Sequence, residues 1–167
     1  RIMKRIIPMV LFFSMFWSCA SVDYAEEYGP IVHTFNEAWN TGNFENLASV
    51  VDANYTKQGP DGPVVGIEPL KQSIRDHRIA YPDWHCTYVE EVYAKGKAVV
   101  RFEVTGTNTG PGEIPATGRT ITLEGMAIFY IANGKIVDDR AYDDVIPFYE
   151  QLGYTILPPP LPDSDKE

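Results

Sequence analysis

Asn133-Gly134 stands between two runs in which apolar and polar residues alternate, "RTITLEGMAIFYIA" and "KIVDDRAY". The commonest two-residue hairpin turns need positive φ at one or both central positions, which Asn and Gly tolerate, so this pair sets an antiparallel hairpin. A second hairpin is predicted around Lys95-Gly96-Lys97, between "WHCTYVEEVYA" and "AVVRFEVTGT". The Gly/Pro-rich stretch "NTGPGEIPATG" joins the two hairpins as a loop. The second half of the chain therefore reads as a long antiparallel meander.

The first half has a different period. "PIVHTFNEAWNTGN" places Ile31, Phe35, Ala38 and Trp39 on one helical face, with Pro30 in the first turn and Gly42 as the stop. "NFENLASVV" reads as a second, shorter helix capped by Asn43. A short strand at "YTKQ" and a Gly/Pro loop lead to a third helix, "IEPLKQSIRDHRIAY", which Pro82 ends. A last short helix is expected over "VIPFYEQLG". This order specifies an α+β fold: a cone-shaped, curved, mixed or antiparallel sheet wrapped around three N-terminal helices, with a short C-terminal helix. A sheet curved in this way does not close on itself, and its concave face holds an apolar pocket.

The ends lie outside this pattern. Lys4 and Arg5 precede an apolar run from Ile6 to Trp17, which has the build of a secretory signal and is short for a membrane span. The run ends at Ser18-Cys19-Ala20, which resembles a bacterial lipobox. Phe16 and Trp17 depart from its usual residues. The expectation is a leader over 1–19 ending at a lipidated Cys19, a linker over 20–27, a folded domain over 28–155 and a disordered Pro-rich tail over 156–167. An exported, membrane-anchored lipoprotein follows, with Ser21 favouring the outer membrane by the same resemblance; a secreted or periplasmic protein is the alternative. The net charge of −9 argues against nucleic acid as a partner, because phosphate binding needs a basic face.

Several residues are candidates for the pocket. His77 falls on the apolar stripe of the third helix, either as a packed core residue or as an acid–base group. Asn36, Tyr55, Trp84, Phe129 and Tyr142 are either pocket lining or ordinary core. Arg101 and Glu103 share one face of a strand, in the pocket or in an exposed ion pair. His33, His77 and His85 are scattered, and no His or Cys sits at ligand spacing, so no metal site is expected. Cys86 reads as a small buried hydrophobe.

The segments "FNEAWNTGN", "AYPDW", "GTNTG", "IPATGR", "ANGKIVDD" and "DDVIPFYEQLG" occur in this order. Together they resemble the SnoaL-like polyketide cyclase family, also called ester cyclases, of the nuclear transport factor 2-like superfamily. The likeness runs from about Tyr28 to Tyr154. It implies intramolecular aldol chemistry without a cofactor, a small apolar ligand and a homodimer through the convex sheet face. It also implies an acid–base Asp before the last helix. Counting back from Gln151-Leu152-Gly153, that residue is Asp144, pointing inward, with Asp143 facing solvent or capping the helix; the alternative reading of the residues is that Asp144 itself caps the last helix. His77 paired with a carboxylate resembles the dyad of dehydratase-type relatives. Arg101 with two acids resembles limonene epoxide hydrolase, although the spacing of Asn54 and Tyr55 departs from it. Two readings stay open: a cofactor-independent cyclase, isomerase or hydrolase, and a ligand- or partner-binding lipoprotein of the same fold without turnover.

Overall fold

The computed structural model describes residues 22–59 and 62–157. The leader, Cys19 and most of the tail fall outside these residues.

Helix α1 (Tyr24–Thr41) begins four residues before the expected domain start. Asp23 is the reason: its carboxylate accepts from the amides of Ala25 and Glu26, satisfying donors that an open helix end leaves unpaired. Pro30 consequently lies inside the helix rather than in its first turn. Gly42 ends the helix in the left-handed conformation, at φ 71°. The second helix shrinks to one turn, α2 (Leu47–Val50). Asn43 does not cap it; its Oδ1 accepts from the Glu45 amide and makes a turn instead.

Strand β1 (Val51–Gln58) leads through the short β2 (Val64–Val65) to α3 (Ile67–Ala80). The meander follows as β3 (His85–Ala94), β4 (Lys97–Thr107), β5 (Thr120–Ala132) and β6 (Lys135–Asp143), and α4 (Val145–Gln151) closes the fold. The six strands form one sheet in the order β2-β1-β6-β5-β4-β3. Among the described residues only the β1–β6 pair is parallel, so the sheet is mixed.

Helices α1 and α3 cover the concave face. Asn36 and Asn40 donate to the carbonyl of Cys86 at 3.1 and 2.9 Å, and the Cys86 amide returns a 2.7 Å bond to Asn40. These bonds fix α1 on β3. Arg78 of α3 donates to the Trp39 carbonyl of α1 at 3.2 Å. Gln151 of α4 bonds both the amide and the carbonyl of Thr122, at 2.8 and 2.9 Å, capping the edge of β5 beyond the end of β6.

Candidate active site

Three cross-strand rows on the concave face build the site. The outer row is Tyr88, Phe102, Gly125 and Asp143. The middle row holds Val100, Ala127 and Ala141, and the inner row Ala98, Phe129 and Asp139. Alanines in the middle row leave the sheet face hollow between larger residues. An inner cavity of about 100 Å³ results, walled by aromatic residues such as Phe35, Trp39, Tyr88 and Phe129. It opens past His77, Trp84 and Asp143 into a trough of about 1110 Å³ between α3, the loop at 108–114 and α4.

His77 lies at this opening, its ring edge-on to Trp39 at 5.4 Å and to Trp84 at 5.6 Å. Its Nδ1 is 2.9 Å from the Ser73 carbonyl, which can only accept, so Nδ1 carries a proton. Asp143 reaches the opening from β6, and both residues line both spaces. Asn36, Trp84 and Phe129 also line the inner cavity.

The orientation of the acidic pair is the reverse of the sequence expectation. Asp143 lines the cavity, whereas Asp144 is exposed at the N-cap position of α4, with no side-chain capping bond. Register explains this. A regular hairpin at Asn133-Gly134 continues Ala132↔Lys135 and Ile131↔Ile136 down to Gly125↔Tyr142. The register shifts between Tyr130 and Ile131, so Tyr130 pairs with Asp138 and Gly125 with Asp143. One extra residue on β6 turns every later side chain to the opposite face.

The same shift corrects Tyr142, which is 70% exposed on the convex face and lines neither of these spaces. Arg101 sits in that outward row: Glu90, Arg101, Met126 and Tyr142 are successive partners across the sheet. Its guanidinium meets Glu90 at 3.1 Å and Glu124 at 3.9 Å, in an exposed ion-pair set. Tyr55 is fully buried and stands behind the cavity, donating from its hydroxyl to Asp139 at 3.0 Å.

Sequence reading missed Lys57 and Asp139, which both line the inner cavity. Lys57 lies opposite Asp139 across the parallel β1–β6 pair, its ammonium 5.0 Å from the centre of the Trp39 ring. Asp139 is 3% exposed, and burial pushes its carboxyl up to about 6, against the opposing pull of Lys57 and the Tyr55 hydroxyl. The adjacent acids of "KIVDDRAY" were visible, but not which of them faces inward. Asp138 faces away, bonded to Thr56 and, at 3.0 Å, to Arg140.

Comparison with known proteins matches this architecture. The family model for SnoaL-like polyketide cyclases matches residues 30–152. Aklanonic acid methyl ester cyclase DnrD of Streptomyces peucetius is 27% identical over 130 residues, covering 74% of this chain and 88% of its own. DauD of Streptomyces sp. strain C5, with the same activity in its name, is also 27% identical, over 74% of this chain and 80% of its own. TsrD from Streptomyces laurentii superposes with a TM-score of 0.71 at 28% identity, over 80% of this chain and 98% of its own. Bal32a, from a soil-derived mobile gene cassette, shares the fold at a TM-score of 0.65 and 16% identity, over 78% of this chain and 99% of its own. The curved open sheet, the helices on its concave face and the match over residues 30–152 make this chain a member of the SnoaL-like polyketide cyclase family.

Proposed function

We propose that the domain takes a small apolar carbonyl compound into its cone and moves a proton on the carbon next to the carbonyl, with Asp143 as the acid–base group. The observation that carries this is the placement of Asp143 at the mouth of an aromatic cavity, with His77 on the facing helix. An apolar enclosure withdraws water from a carboxylate and so makes it a better base. Asp143 takes the proton, the resulting enolate carbon attacks a second carbonyl of the same molecule, and the new alkoxide takes that proton back from Asp143. Ring closure of this kind fits the cyclase names of the relatives. Asp143 replaces Asp144 in this role because Asp144 lines neither space.

The test is hydrogen–deuterium exchange at the activated carbon of 2-tetralone in D₂O, followed by proton NMR. Exchange in the native protein should fall about 100-fold in Asp143→Asn and stay within about twofold in Asp144→Asn. Loss in Asp144→Asn alone would move the chemistry to that residue. Binding of tetralone with no exchange above buffer favours the non-catalytic, ligand-holding reading.

Export and lipidation at Cys19, with residence in the outer membrane, are part of the same proposal. Lys4-Arg5, the apolar run and Ser18-Cys19-Ala20 support them. Incorporation of labelled palmitate, absent in Cys19→Ala, checks them. A homodimer through the convex face is supported by the exposure there of Val92, Met126 and Tyr142. Sedimentation of the domain released from its leader as monomer alone would rule it out.

A further inference from the structure

The floor of the cone carries ionisable groups for which proton transfer at Asp143 has no use. Lys57 is 7% exposed and Asp139 3%, at partner positions on neighbouring strands, and Tyr55 behind them is fully buried. The Tyr55 hydroxyl donates to one oxygen of Asp139, Oδ2. The other, Oδ1, has no hydrogen-bond partner among the described residues. One position earlier, Asp138 has both Thr56 and Arg140. The acid turned inward is thus the less fully bonded of the two.

A buried carboxylate oxygen without a donor is costly, and structures rarely keep one without a use. Asp139 lines the inner cavity, so a ligand held there is placed beside this carboxyl. Lys57 already supplies a positive charge beside Asp139. A neutral O–H therefore suits the position better than a second cation. Flat walls, Phe129 directly across the sheet from Asp139 and Trp39 beneath Lys57, suit an unsaturated ring carrying that O–H.

We propose that the floor is a hydroxyl-recognition subsite, in which Asp139 Oδ1 accepts a hydrogen bond from a phenol or enol group of the ligand. Asp139 here binds and orients. The inference rests on the proposed function in placing the ligand inside the cone, but not on proton transfer by Asp143.

The test compares the affinities of 2-naphthol and 2-methoxynaphthalene, which differ in the donated hydrogen, by calorimetry at pH 7. The native protein should prefer the naphthol about tenfold, the scale of a hydrogen bond to a charged acceptor. Asp139→Asn should cut the preference to within about threefold. The double variant Lys57→Met, Asp139→Leu removes both charges together, which spares the fold an unpaired buried charge, and should abolish the preference. Asp144→Asn, which lies outside both spaces, should keep it in full. Equal binding of the two probes by the native protein overturns the proposal. So does a preference that survives in the double variant or disappears in Asp144→Asn. A preserved preference without tetralone exchange leaves the subsite standing and removes only the acid–base role of Asp143.

Discussion

Gly125 pairs with Asp143 across β5 and β6, and the Asp143 carboxyl occupies the space that a side chain at 125 would fill. A Cβ built on Gly125 lies 2.6 Å from Asp143 Oδ1 and 2.5 Å from Cζ of Phe102, its partner on the other side. The glycine lets the carboxyl and the ring edge lean toward each other over one bare backbone position. Gly125→Ala is therefore expected to lower stability by about 1–3 kcal/mol through overpacking. Because two of the three close contacts are to Phe102, adding Phe102→Leu should recover part of that loss. Urea unfolding of the single and double variants checks both statements, and a double variant no better than Gly125→Ala would show that Asp143 alone sets the limit.

Asp139 predicts a pH dependence of stability with a definite sign. Its folded carboxyl is raised from 3.8 to about 6, chiefly by desolvation. Between these values the folded protein holds a proton that the unfolded chain has released, so stability falls as pH rises from about 4 to about 6 and is level above that. A shift of about 2 units corresponds to a loss of about 3 kcal/mol, to order of magnitude. Asp139→Asn should flatten this part of the profile. Unfolding midpoints at pH 4, 5, 6 and 7 measure it, and a profile unchanged in the variant would assign the dependence to other carboxylates.

Much of the architecture was legible because it follows from local signals. Asn133-Gly134 and the glycine at 96 dictated the hairpins, and Gly42 and Pro82 marked helix ends within the expected residues. The facing of the acids was not legible, because it depends on one register shift with no signature in residue type. On β6 the inward residues beyond the shift are Asp139, Ala141 and Asp143, and the outward ones are Arg140 and Tyr142. The usual alternation is inverted there, since the apolar-looking Tyr142 is outside and two acids are inside. A hydrophobic pattern therefore points the wrong way where the site is built. The small residues Gly125 and Ala127 on the opposite strand were the available hint, since they leave room that a larger partner takes.

Cys86 is expected to be chemically silent in the folded protein. It is buried beneath α1, and desolvation, with a smaller contribution from Asp143, pushes its thiol up to about 12. The thiolate is the reactive form, so almost none is present at neutral pH. In a chain carrying Cys19→Ala, reaction with an aromatic disulfide reagent at pH 8 should be at least about 100-fold slower than for a free thiol, and should match it in denaturant. Rapid labelling of the native chain would mean that the α1–β3 contact opens.

The loop that follows β4 is fastened to the end of α3: the amides of Thr109 and Gly110 both donate to the Ala80 carbonyl, at 3.2 and 3.1 Å. A Cβ on Gly110 would lie 1.8 Å from the Ile79 carbonyl oxygen, a backbone atom that cannot turn aside. Gly110→Ala must therefore move the loop off the helix and lengthen or break these two bonds. Asn108 holds the other end of the loop, accepting from the Thr117 amide at 2.7 Å, so the displacement should stay local. The expected outcome is faster exchange of the Thr109 amide and weaker tetralone binding, with the unfolding midpoint lowered by a few degrees for a loss of about 1 kcal/mol. Amide exchange by NMR distinguishes this from general destabilisation, because the β4–β5 amides should keep their protection while the loop loses it. Uniform loss of protection would mean that the loop is part of the core's cooperative unit and not a separable wall.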